Sequence, residues 1–110
     1  MYIYVKLFDL TKFIKGWFIG DFIPTILNTS NFEVAVKRYK KDDYEKAHYH
    51  KVATEITVMA VGEAKMNGKH YKENDIIIIE PGDSADFLCL TDVVTVVVKI
   101  PSAKNDKFES

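Results

Sequence analysis

His48 and His50 stand two residues apart in the run His48-Tyr49-His50-Lys51, and Glu55 follows five positions later. On a β-strand successive side chains alternate faces, so the two imidazoles face the same way. The residues after Glu55 alternate as well: Glu55, Thr57 and Met59 on one face, Ile56, Val58 and Ala60 on the other. Residues 51–54 then form a short connection that folds the second strand back beside the first and brings Glu55 to the imidazoles. Two neutral imidazoles and a carboxylate meeting inside a barrel make a site for a divalent transition metal, and these donors suit Fe, Mn, Ni or Zn. Without a metal, the same pair can pass protons at neutral pH, since histidine titrates near about 6.5. A third reading is structural: His48 and His50 are interior strand residues, with Glu55 accepting a hydrogen bond from one of them.

The elements that must position these residues read as short strands. Residues 32–41 alternate, with Phe32, Val34, Val36 and Arg38 on one face and Glu33, Ala35, Lys37 and Tyr39 on the other. A charged turn, Lys40-Lys41-Asp42-Asp43, leads into the histidine strand. Asn67-Gly68 is a type I′ hairpin signal, because both central residues need positive φ. Residues 76–79, four isoleucines, predict a strand buried on both faces. Residues 85–90 and 93–100 predict two more strands, and Pro101 stops the ladder because proline has no N–H. At the start, residues 2–10 read as a strand. Gly16-Trp17-Phe18-Ile19-Gly20-Asp21-Phe22 supplies rings that cap one end of a barrel or form a dimer surface. The polar tail, residues 101–110, either lies over the surface or frays. In all, about eight or nine short strands with regular turns predict an all-β, antiparallel barrel or sandwich. Its interior pocket is expected to be lined by residues such as Val36, Met59 and Phe87. Lys51 and Lys99 are expected to face outward, His70 to be exposed, and Cys89 to be a small buried hydrophobe rather than a nucleophile.

The histidine segment resembles the first motif of the cupin superfamily, G-x5-H-x-H-x(3,4)-E-x6-G. His48, His50, Glu55 and Gly62 fall in register, while Asp42 stands at the leading glycine position. The second cupin motif, G-x5-P-x-G-x2-H-x3-N, is matched only at Gly82; the position of its ligand histidine is Ala85. The resemblance covers residues 32–100. The runs at residues 16–22 and 98–108 also look like a group of short bacterial and phage cupins of no assigned function. The resemblance implies a double-stranded β-helix, or jelly roll, as one domain. Residues 1–31 would form an N-terminal strand and aromatic segment, residues 32–100 the barrel, and residues 101–110 a tail. It further implies a metal held by His48, His50 and Glu55, a small-molecule ligand in the barrel, and a homodimer. Some cupins that isomerise nucleotide-linked keto-sugars carry an H-x-H-K segment, as here at residues 48–51. They usually show Arg-Gly just before it, where this chain has Lys46-Ala47. A non-catalytic binding module draws on the same pocket. Enzymatic activity is therefore left open.

Composition narrows the field. The chain has 110 residues, 47% of them hydrophobic and 28% charged, enough for one domain with a modest core. A formal net charge of -1 gives no global basic surface for nucleic acid. The single cysteine excludes an intrachain disulfide and fits a reducing compartment, so a cytoplasmic location is expected. No apolar run is long enough to span a bilayer, so no membrane partner is expected. There is no glycine-rich phosphate loop, no C-x-x-C pair and no G-x-S-x-G elbow.

Overall fold

The computed structural model describes residues 5–110. Where the sequence alternates, strands form: β1 (Trp17–Gly20), β2 (Leu27–Asn28), β3 (Glu33–Tyr39), β4 (Tyr44–Tyr49), β5 (Thr54–Val61) and β6 (Ala64–Met66). They continue with β7 (Lys69–Tyr71), β8 (Ile76–Ile79), β9 (Ala85–Cys89), β10 (Val93–Ile100) and β11 (Phe108–Glu109). Two sheets face one another. One runs β2-β1-β3-β10-β5-β8, the other β11-β4-β9-β6-β7. The long central strands are antiparallel, with β10 between β3 and β5. This is the all-β, two-layered barrel that the alternation predicts, in the jelly-roll form that the resemblance implies.

Between the layers, Met59, Ala64, Met66, Ile77, Phe87, Cys89 and Val93 form the core. Cys89 is fully buried, and burial pushes its thiol up to about 11, so it is not a nucleophile at neutral pH. The hairpin β6–β7 turns at Asn67 and Gly68, both at positive φ, as expected. Gly62 has φ +90°, and a Cβ there would collide with the Asp92 carbonyl oxygen. Gly62→Ala is therefore expected to cost about 2–4 kcal/mol through left-handed backbone and overpacking together. Urea unfolding of the purified variant checks this.

Several expectations are corrected. Residues 2–4 lie outside the described residues, and residues 5–9 form no strand. Asp9 caps a 3-10 turn at Leu10–Lys12, its carboxylate accepting from the Thr11 amide at 2.9 Å. This local bond offers the backbone an alternative to a ladder. The four isoleucines are not buried on both faces. β8 is an edge strand, Ile77 is 7% exposed, but Ile76 and Ile78 are 66% and 60% exposed. The C-terminal tail is ordered into the sheet, where β11 pairs with β4 at Tyr49 and His48.

Candidate functional site

The register of the large sheet sets the chemistry of the interior. Glu33, Lys99 and Glu55 share one rung across β3, β10 and β5. Ala35, Val97 and Thr57 form the next, and Lys37, Thr95 and Met59 the third. The inward face of β3 is thus Glu33, Ala35, Lys37 and Tyr39, not the Val34 and Val36 face. Alternation fixes which residues share a face but not which face turns inward.

A cavity of about 240 Å³ opens between the sheets. His48, His50 and Glu55 all line it, so the structure brings the three sequence-selected residues into one space. Of the residues expected to line a pocket, Phe87 does so. Met59 lies deeper, fully buried in the core, and Val36 borders a separate groove near Leu10 and Phe13. Lys99 is corrected from outward to inward. Its side chain is 18% exposed, 3.8 Å from Glu33, and its Nζ lies 4.9 Å from the Trp17 ring centre.

Local structure holds the histidines. β4 loses register between Glu45 and His48 against β9, so a bulge places Glu45 and His48 on the cavity side although they are three apart. The Gly82 amide donates to the His50 carbonyl at 2.7 Å. Asp106 accepts from the amides of Lys51, Val52 and Ala53 at 2.8, 3.1 and 2.9 Å. That one carboxylate fixes the connection between His50 and β5. Burial alone would raise the Asp106 pKa, but these three amides outweigh it and hold the carboxyl below its usual range.

The imidazole rings lie edge to face with centres 5.4 Å apart. His48 Nδ1 sits 3.1 Å from the Lys46 carbonyl. A carbonyl only accepts, so Nδ1 carries the proton and Nε2 of the neutral ring keeps its lone pair. His50 is 4% exposed, and its Nε2 is buried without a hydrogen-bond partner. Burial, then the Lys99 ammonium, pushes the His50 pKa down, with Glu55 opposing, so this ring is neutral at pH 7. Glu55 accepts from the Thr57 hydroxyl at 3.0 Å. These donors fit a divalent metal in kind. Among the described residues, no three His, Cys, Asp or Glu side chains are already gathered as a coordination sphere. Ala85 lines the same cavity and offers no donor. Asp86, next to it, also borders the cavity, and its Oδ1 accepts from the Asn67 amide at 2.7 Å.

Sequence reasoning missed the lysines. Lys15, Lys37, Lys99 and Lys107 all border the cavity, alongside Trp17, Tyr39 and Glu45. The Tyr39 hydroxyl donates to Glu45 at 2.7 Å. A lysine inside an otherwise apolar strand, as at Lys99, was the available signal. Its inward direction follows only from the pairing with Glu33 and Glu55.

No protein-family model matches the chain, and no curated protein matches it. Solved structures do. An uncharacterised conserved protein with a double-stranded β-helix domain from Klebsiella pneumoniae aligns at TM-score 0.73 and 19% identity, over 97% of this chain and 99% of that one. An RmlC-like cupin from Shewanella frigidimarina aligns at TM-score 0.63 and 18% identity, over 69% and 70%. Oxalate decarboxylase from Bacillus subtilis aligns at TM-score 0.63 and 19% identity, over 74% of this chain but 24% of that chain. Together with the two facing sheets and the first-motif residues around the cavity, these alignments give the chain the cupin double-stranded β-helix fold.

Proposed function

We propose that the chain is a cupin barrel that binds a small anionic molecule beside a divalent transition metal held by His48, His50 and Glu55. The observation that carries the metal is the buried, unpartnered Nε2 of His50 in a cavity shared with His48 and Glu55. Leaving such a nitrogen unsatisfied costs about 1–3 kcal/mol, which a bound ion would recover. The Bacillus subtilis oxalate decarboxylase, a fold neighbour at TM-score 0.61, has Mn(II) centres, which supports manganese among Fe, Mn, Ni and Zn. A bound ion would supply Lewis acidity at the cavity wall. The residues themselves bind and orient: the lysines draw in an anion, and Trp17 and Phe87 form an apolar wall around it. Metal analysis of protein purified without an affinity tag is expected to show about one ion per chain. A metal-free preparation of normal stability would overturn the metal reading.

A second reading has one observation of its own. The charge acting most strongly on His50 is the Lys99 ammonium, and the three donors are not pre-gathered. A metal-free barrel, with His48 and His50 as acid and base on a keto-sugar or with no turnover, fits that feature. Solvent deuterium entering a nucleotide-linked 4-keto sugar would support the isomerase form.

We also propose a homodimer. The outer face of the large sheet carries Val34, Val96, Val98, Ile56 and Val58 side by side, with Ile76 and Ile78 exposed at its edge. Val5 and Leu7, 86% and 95% exposed, add an apolar segment without cover. Burying each exposed isoleucine gains about 1.5–3 kcal/mol, and a second copy presents the same apolar surface. Light scattering is expected to give a dimer, and Ile76→Lys with Ile78→Lys a monomer. A monomeric wild type at micromolar concentration would contradict this.

A further inference from the structure

The third inward rung holds two polar groups that the fold does not satisfy. Thr95 is 1% exposed, lines the cavity, and its Oγ1 has no hydrogen-bond partner. Lys37 is its Cα partner on β3 and lines the same cavity. Lys99 is engaged with Glu33, Glu45 with Tyr39 and Glu55 with Thr57, while Lys15 and Lys107 border the same cavity without an ion pair among the described residues. Among the described residues, Lys37 has no carboxylate at ion-pair distance; its Nζ lies 5.6 Å from the Trp17 ring centre. A hydroxyl donor and an ammonium donor without acceptors, side by side, complement an oxyanion.

We propose that Lys37 and Thr95 form a second subsite, which receives a carboxylate of the bound molecule in the cavity that His50 and Glu55 also line. Thr95 and Lys99 stand four positions apart on β10, a Cα span of about 13 Å. The ligand class is therefore a short acid with a second polar end, such as a linear α,ω-dicarboxylate, its far end meeting the imidazoles and the Lys99 ammonium. This deepens the anion-binding part of the proposed function and stands whether or not a metal is present. Burial pushes the Lys37 pKa down, the first of its causes, and a carboxylate beside it would oppose that shift.

The test is calorimetric titration of the whole chain, metal-free and Mn(II)-loaded, with succinate, glutarate and adipate, and with butyrate and inorganic phosphate as comparators. A dicarboxylate is expected to bind more tightly than butyrate or phosphate. Lys37→Met should weaken it about 10- to 100-fold and Thr95→Val about 3- to 10-fold, with Lys37→Arg retaining part of the affinity. Without ligand, Lys37→Met and Thr95→Val are expected to melt at or above the wild-type temperature, since each removes an uncompensated polar group. A purely structural role predicts the opposite. Unchanged dicarboxylate affinity in Lys37→Met, no binding by any dicarboxylate at millimolar concentration, or phosphate binding as well as the dicarboxylates would overturn the proposal. Lys37-dependent dicarboxylate binding in a protein that takes up none of Mn(II), Fe(II), Ni(II) and Zn(II) would sink the metal reading and leave this subsite standing.

Discussion

Asp106→Ala is expected to lower the stability of the folded chain by about 3–5 kcal/mol. The residue sits in what the sequence presents as a polar tail, yet it is 8% exposed and its carboxylate accepts from three consecutive backbone amides. Truncation leaves those amides without a partner where water reaches poorly. In a domain whose whole stability is on the order of 5–15 kcal/mol, that loss shifts the thermal midpoint by more than about 10 °C. The pH dependence has a definite sign. The folded pKa of Asp106 is depressed, so its contribution is fully present above the unfolded carboxylate value of about 3.9 and is lost as pH falls through the lower folded value. Wild type and Asp106→Asn should therefore differ most at neutral pH and converge in acid. Denaturant midpoints measured from pH 7 down to pH 2 check both the size and the slope. Because Lys51–Ala53 joins His50 to β5, the same substitution should also disorder the candidate site.

His50→Ala is expected to weaken divalent-metal binding at least 100-fold, beyond the 10- to 100-fold typical of groups that only orient a ligand. His70→Ala, which breaks an exposed 3.3 Å contact with Glu63 outside the cavity, should change nothing there. Metal uptake requires neutral imidazoles. Since burial and Lys99 hold the His50 pKa below its usual value, that ring stays available to a lower pH than a free histidine would. Competition titrations with a chelating dye over pH 5–8 read both effects.

The fold was legible because strict two-residue alternation and turn chemistry are local. Asn67-Gly68 forms its expected hairpin, and His48, His50 and Glu55 reach one cavity through strand parity and a short connection. What escaped was non-local. The choice of inward face on β3 depends on pairing with β10, which turns Lys37 inward and Val36 away. Ile76 and Ile78 are apolar on a solvent-facing edge because hydrophobicity alone does not distinguish a core from an exposed surface. The bulge in β4, which adds Glu45 to the cavity, leaves no signature in composition. Asp106 meets residues more than fifty positions earlier, a contact that no local pattern announces.

The most direct measurement is anomalous diffraction from crystals grown with Mn(II). The predicted result is one strong peak within coordination distance of His48 Nε2, His50 Nε2 and Glu55, lost in His50→Ala. A cavity that stays empty at full Mn(II) loading, or a peak found only at the surface pair His70 and Glu63, would contradict the metal site.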